Sequence, residues 1–108
     1  MSDQGSIPSI VPPITWILYS KPGCHLCEGL LDKLRQLPEI APTLTVRDIT
    51  TNPQWWQRFH LDIPVLALQT PGDPEMVLPR LSPRDSLERL RFILHSHRQK
   101  HLAKMKHI

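Results

Sequence analysis

Two cysteines, Cys24 and Cys27, stand three residues apart in the run KPGCHLCEG (21–29), and the chain of 108 residues has no others. A pair at this spacing can exchange electrons as a dithiol–disulfide couple, supply half of a four-ligand metal site, or stay inert. His25 lies between the two sulfurs and Lys21 three residues ahead of the first. A protonated His25 would favour a Cys24 thiolate and make the pair more oxidising. Lys21 could hold an anion, either that thiolate or a substrate carboxylate. As solvated loop residues, both would have only modest effects. Glu28, next to Cys27, could pass a proton and otherwise reads as solvated charge.

The elements around the pair narrow the choice. Residues 14–19, ITWILY, are rich in β-formers and are closed by Ser20, Lys21 and Pro22, which predicts a buried strand. Cys27, Leu30, Leu31, Leu34 and Leu37 then fall at i, i+3, i+4, i+7 and i+10, which predicts a helix that Pro38 stops. Cys24 falls where this helix begins, and Cys27 one turn inside it. Side chains three apart on a helix are about 5–6 Å apart, within reach of disulfide geometry. Cys27, on the leucine stripe, is expected to be buried and poor at ionising. Cys24 is expected to face solvent at the helix N-terminus, where unpaired N–H groups and the dipole favour a thiolate. That asymmetry makes Cys24 the attacking sulfur and Cys27 the resolving one.

Further along, TLTVRDI (43–49) alternates and predicts a second strand. Asn52 and Pro53 read as the cap and first residue of a short helix through Trp55, Trp56 and Phe59. Two of its rings are expected in the core and one partly exposed, because adjacent positions point about 100° apart. Trp16 is expected to pack on the sheet. PVLALQ (64–69) predicts a third strand, and TPGDP turns the chain into EMVL (75–78), a short fourth strand in a hairpin. Ser82, Pro83 and Asp85 predict a helix start resembling a capping box, with Leu87, Leu90 and Leu94 on the buried face. The order is β-α-β-α-β-β-α. A strand–helix–strand opening implies a right-handed parallel unit, and the hairpin adds antiparallel strands. The expected α/β fold is a central four-stranded mixed sheet flanked by three helices.

Composition bounds the function. A chain this short holds one small domain with a single core. Six of the 13 basic residues, and no acid, fall in 89–108, which leaves seven basic residues against ten acidic ones in 1–88. The domain is thus slightly acidic with a basic end, which argues against a nucleic-acid footprint spread over one face. The N-terminal MSDQGSIPSIVPP lacks the charged start and apolar stretch of a signal peptide. The longest apolar run, Ile14 to Tyr19, is too short to span a membrane. Residues 1–13 are expected to be a flexible leader, 14–97 the domain and 98–108 a basic tail, read as a frayed extension of the last helix. Two cysteines make no disulfide framework for a secreted mini-protein, so the reducing cytoplasm is the expected location.

The run LYSKPGCHLCEGLLDKL, leaving a buried strand, resembles the active-site segment of the glutaredoxin-like branch of the thioredoxin-fold proteins. Asp62-Ile63-Pro64-Val65 resembles that family's second hallmark, a cis-proline opening the third strand. The resemblance implies that Pro64 caps the cysteine site and that the Ile63 backbone pairs with an incoming peptide. It also implies dithiol transfer to disulfide-containing proteins or glutathione mixed disulfides, with no tightly bound cofactor and glutathione as a possible co-substrate. Typical glutaredoxins carry a Gly-Gly-x-Asp-type segment before the last helix, where this chain reads LPRLSPRDSLERL, and a threonine where it has Asp62. The pair CHLC differs from both the glutaredoxin CPYC and the thioredoxin CGPC.

The expected function is that of a monomeric thiol–disulfide oxidoreductase. The alternatives are a binding or redox-sensing module of the same fold, and a metal or iron–sulfur carrier. Zinc would need two further ligands, and His95, His97, His101 and His107 have no fixed spacing to the cysteines, so no metal site is expected.

Overall fold

The strand β1 (Thr15–Ser20) runs through the middle of the sheet, and its side chains alternate between two cores. Trp16 and Leu18 face one helical layer, while Ile17 and Tyr19 face the other. All four are at most 1% exposed. A strand covered on both faces has no polar side to show, so it reads as an unbroken apolar run. The computed structural model describes residues 13–82 and 84–105. The expected leader falls on residues 1–12 apart from Pro13, and those lie outside the described residues.

The sheet has the order β2-β1-β3-β4, with β2 at Leu44–Asp48, β3 at Val65–Gln69 and β4 at Met76–Val77. β2 is parallel to β1, and Trp16 faces Leu44 across that pair. β3 is antiparallel to β1, and Tyr19 faces Val65. β4 closes the hairpin expected from TPGDP, with Gly72 in the turn at a φ of +84°. Helices α1 (His25–Arg35) and α3 (Leu87–Met105) carry Leu30, Leu34, Leu90 and Leu94 into the larger core, against Trp16, Leu18, Leu66 and Leu68. Helix α2 (Pro53–Phe59) covers the opposite face with Phe59. This is the expected mixed sheet with three helices.

The cap at Asn52 forms as expected: its Oδ1 accepts the N–H groups of Gln54 and Trp55 at 2.9 and 3.2 Å, with Pro53 in the first turn. Phe59 is buried, Trp55 half-buried and Trp56 41% exposed.

The start of α3 differs from the expectation. Ser82 Oγ accepts the Arg84 N–H (3.2 Å) and Ser82 O the Asp85 N–H (3.1 Å), which closes a separate turn. The helix begins one turn later, where Ser86 Oγ accepts the Arg89 N–H at 3.1 Å and Ser86 O the Leu90 N–H at 2.9 Å. Both serines offer the same capping chemistry, but Leu81 is buried in the core and pins the first turn to the sheet. Only after Ser86 do Leu87, Leu90 and Leu94 line up on one face.

Past residue 97, α3 continues to Met105, so the described part of the basic stretch extends the last helix. Arg98, Lys100 and Lys104 lie on its outer turns, and His101 and Leu102 are buried. His101 Nε2 lies 3.2 Å from Thr70 Oγ1, which donates to Asp73 Oδ2 at 2.9 Å. The C-terminal turns of the helix are thereby joined to the β3–β4 turn. Among the described residues no helix is long and apolar enough to cross a membrane.

Candidate redox site

The chain leaves β1 at Ser20 and turns through Lys21, Pro22 and Gly23. The Cys24 N–H reaches back to Lys21 O (3.3 Å), and Gly23 has a φ of +81°, the left-handed region that favours glycine. Cys24 is the N-cap of α1, with φ −89° and ψ 101°. Its Sγ accepts the Cys27 N–H at 3.2 Å, as a capping serine hydroxyl would, and its carbonyl accepts the Glu28 N–H at 3.0 Å. The sulfur therefore sits among the N–H groups that the helix leaves unpaired. Cys27 lies one turn in and is 1% exposed, whereas Cys24 is half-buried. The Cα atoms are 5.3 Å apart and the sulfurs are joined in a disulfide. The difference in burial expected from the leucine stripe is present, although Cys24 is half-buried and not fully open to solvent.

His25 projects outward, its side chain 96% exposed, and its Nδ1 is 3.7 Å from the Glu28 carboxylate. A protonated His25 is thus met by a carboxylate of its own helix, which weakens its pull on the Cys24 sulfur. Lys21 has a partner that the sequence did not suggest. Its Nζ is 5.7 Å from the centre of the Trp56 ring, within cation–π range. Trp56 in turn stacks on His60, with centroids 5.0 Å apart and planes 9° apart. Helix α2 thereby braces the turn that carries Cys24.

Because Tyr19 pairs with Val65, the start of β3 lies beside the end of β1, from which the cysteine turn departs. The Ile63–Pro64 peptide bond at that point is cis. Ile63 packs against the α2-side core. Its N–H is already bonded to Phe59 O at 3.1 Å, so of its two backbone groups only the carbonyl remains for an incoming peptide.

Beneath these segments lies a polar network that sequence reasoning missed. Tyr19 Oη donates to Glu75 and accepts from Arg47 Nη1 at 2.8 Å, and Arg47 is 3.3 Å from Glu75. Arg47 also lies over Trp55 (5.1 Å), while Phe59 stacks on Tyr19 with centroids 4.3 Å apart. The Tyr19 phenol is pushed up to about 12, first by burial and then by its bond to the Glu75 carboxylate and that group's charge. It stays neutral at any physiological pH and serves as a structural tie, not a proton donor. The network joins the ends of β1 and β2 to the segment entering β4.

Among the described residues no group of three or more His, Cys, Asp or Glu side chains is placed to hold a metal ion.

A four-stranded mixed sheet in the order β2-β1-β3-β4, with a Cys-x-x-Cys pair at the first helix N-terminus, defines a protein of thioredoxin-like fold. Solved structures agree with that class. The structural-genomics target protein XcR50 from X. campestris is 26% identical at a TM-score of 0.53, with 76% of this chain and 97% of that one covered. A malarial protein (19% identical, TM-score 0.51, 78% and 96% covered) and a designed protein (23%, 0.52, 78% and 79%) share the fold. No curated protein matches. Residues 15–95 match the Glutaredoxin-like domain (DUF836), and the chain belongs to that family.

Proposed function

We propose that the protein is a thiol–disulfide oxidoreductase that works through the Cys24–Cys27 couple. The observation that carries this reading is the contrast between the two sulfurs. Cys24 Sγ is half-buried at the N-cap of α1 and accepts the Cys27 N–H, whereas Cys27 is closed off beneath it. In the dithiol state that N–H stabilises a Cys24 thiolate, the form that attacks a disulfide.

The Cys24 thiolate attacks one sulfur of a substrate disulfide, forming a mixed disulfide and releasing the other substrate sulfur as a thiolate. Cys27 gives up its proton and attacks Cys24 Sγ. The second substrate thiolate then leaves, and the Cys24–Cys27 disulfide remains. The substrate has gained two electrons and the couple has lost two, which an external thiol such as glutathione restores. The substrates in this reading are protein disulfides or glutathione mixed disulfides. Lys21, held by Trp56, adds positive charge beside the cysteine turn. The Ile63 carbonyl, next to Pro64, is the backbone group available to an incoming chain.

The test is turnover of a glutathionylated peptide and of a protein disulfide by the reduced protein, with glutathione and glutathione reductase recycling. Cys24→Ser is expected to abolish exchange, and Cys27→Ser to accumulate the mixed disulfide. Unchanged exchange in both variants would refute the mechanism. A stoichiometric complex without turnover in the unaltered protein would replace it with a binding module.

A further inference from the structure

Beside Pro64 lies a cleft of about 360 Å³ that the cysteine chemistry does not use. It is walled by the last turn of α2, by the start of β3, and by the segment that follows β4. Its apolar lining includes Phe59, Val65, Leu78 and Leu81, and the exposed Arg58 and Arg80 line it as well. We propose that this cleft docks an acidic segment of a protein substrate, carboxylates on Arg58 and Arg80 and an apolar side chain on the lining between them. The inference rests on the redox reading for its purpose, because docking there brings the substrate chain past Pro64.

Two observations carry it. First, neither arginine has a carboxylate within ion-pair distance among the described residues, although Arg47 and Arg91 are both paired, with Glu75 and Glu39. Arg58 is held over the Phe59 ring, with Cζ 4.8 Å from its centre, and Arg80 Nη1 donates to the Asp62 carbonyl at 3.2 Å. Each guanidinium is thus placed by a neutral partner and keeps its charge for a ligand. An arginine fork suits a carboxylate, which it can bind through two parallel hydrogen bonds. Second, the cleft is bordered by β4, the edge strand, whose Val77 is 37% exposed. An extended chain can run past an open sheet edge. The one carboxylate in the lining, Asp62, makes no ion pair with either arginine, and the two guanidinium groups outnumber it.

The experiment uses the oxidised full-length protein and three short cysteine-free peptides in which Leu alternates with Glu, Gln or Lys. Binding is followed by NMR titration at low and high salt, reading the backbone amides and the arginine side-chain N–H signals. Two partly solvated ion pairs predict that the Glu peptide binds about five- to tenfold tighter than the Gln peptide. The Lys peptide should not bind, and salt should reduce the difference. Shifts should centre on Arg58, Arg80 and Val77, and the double variant Arg58→Glu, Arg80→Glu should favour the Lys peptide. Equal affinity for the Glu and Gln peptides overturns the proposal. So do shifts confined to the basic turns of α3, or displacement by glutathione from the same signals, which would make the cleft a small-thiol subsite. No turnover is involved, so failure here with exchange intact removes only the docking site. Acidic binding without exchange would remove only the redox reading.

Discussion

Tyr19→Phe removes one hydroxyl from the network beneath the cysteine turn, and its effect should depend on pH in a specific way. At pH 8 the variant loses one hydrogen bond given to Glu75 and one received from Arg47. Bonds to charged partners contribute about 1.5–3 kcal/mol. Arg47 and Glu75 keep each other at 3.3 Å, so neither charge is abandoned and the lower part of that range applies, about 2 kcal/mol. In alkali the comparison changes. The phenol has a pKa of about 12 in the folded protein and 10.0 as its reference. A group whose folded pKa is raised stabilises the fold fully below the unfolded pKa, and that contribution fades as pH climbs through the folded one. The unaltered protein should therefore lose stability between pH 10 and 12 that the phenylalanine variant keeps.

Full linkage over two pH units is about 2.7 kcal/mol, of which about 1.9 is gone by roughly pH 11.5. The Arg47 and Glu75 side chains are 27% and 20% exposed, so solvent screens part of this and a loss of about 1–2 kcal/mol is expected. Urea unfolding of both oxidised proteins at matched pH values measures the gap, and lysine titration cancels in the difference. The gap should start near 2 kcal/mol at pH 8 and close most of the way by about pH 11.5. A gap that stays constant from pH 9 to 11.5 would refute the argument, because it would mean that Tyr19 ionises equally easily in both states.

Two further substitutions test the supports of the fold and the turn. Thr70→Val keeps the shape of a side chain that is 1% exposed but strands His101 and Asp73. It should cost about 1–3 kcal/mol in urea unfolding and speed amide exchange in the last turns of α3. Gly23→Ala meets no atom within 4 Å, so only the backbone strain at φ +81° opposes it. It should cost about 1–2 kcal/mol, and Gly23→Asn should recover part of that loss, since asparagine tolerates the left-handed region better.

What could be read from the sequence was local. The strand before the cysteines, the stripe from Cys27 to Leu34, and the Asn52–Pro53 cap each depend on residues within a few positions, and the structure contains all three. Ser82 carries the same capping signal as Ser86, four residues on, and the burial of Leu81 is what separates the two. The remaining omissions are long-range. Arg47 and Tyr19 are 28 residues apart, Thr70 and His101 31, and Tyr19 and Glu75 56. Nothing in the type or spacing of these residues links them until the sheet order brings their strands together. The Lys21–Trp56 contact is of the same kind: a ring read as partly exposed helix surface becomes a brace for the cysteine turn once α2 is laid across the sheet.

The position of Cys24 at an N-cap also decides how its replacement should be read. A serine is among the best capping residues, and its Oγ can accept the Cys27 N–H that Cys24 Sγ accepts at 3.2 Å. Cys24→Ser should therefore match the reduced unaltered protein in stability to within about 0.5 kcal/mol, while Cys24→Ala, which leaves that N–H without an acceptor, should fall about 1 kcal/mol below both. Urea unfolding of the three reduced proteins gives the comparison. If serine and alanine prove equally destabilising, the sulfur is not acting as a cap, and the N–H assigned to holding its thiolate loses its support. If serine holds the fold while exchange disappears, the loss belongs to the missing thiolate and not to a disordered helix end.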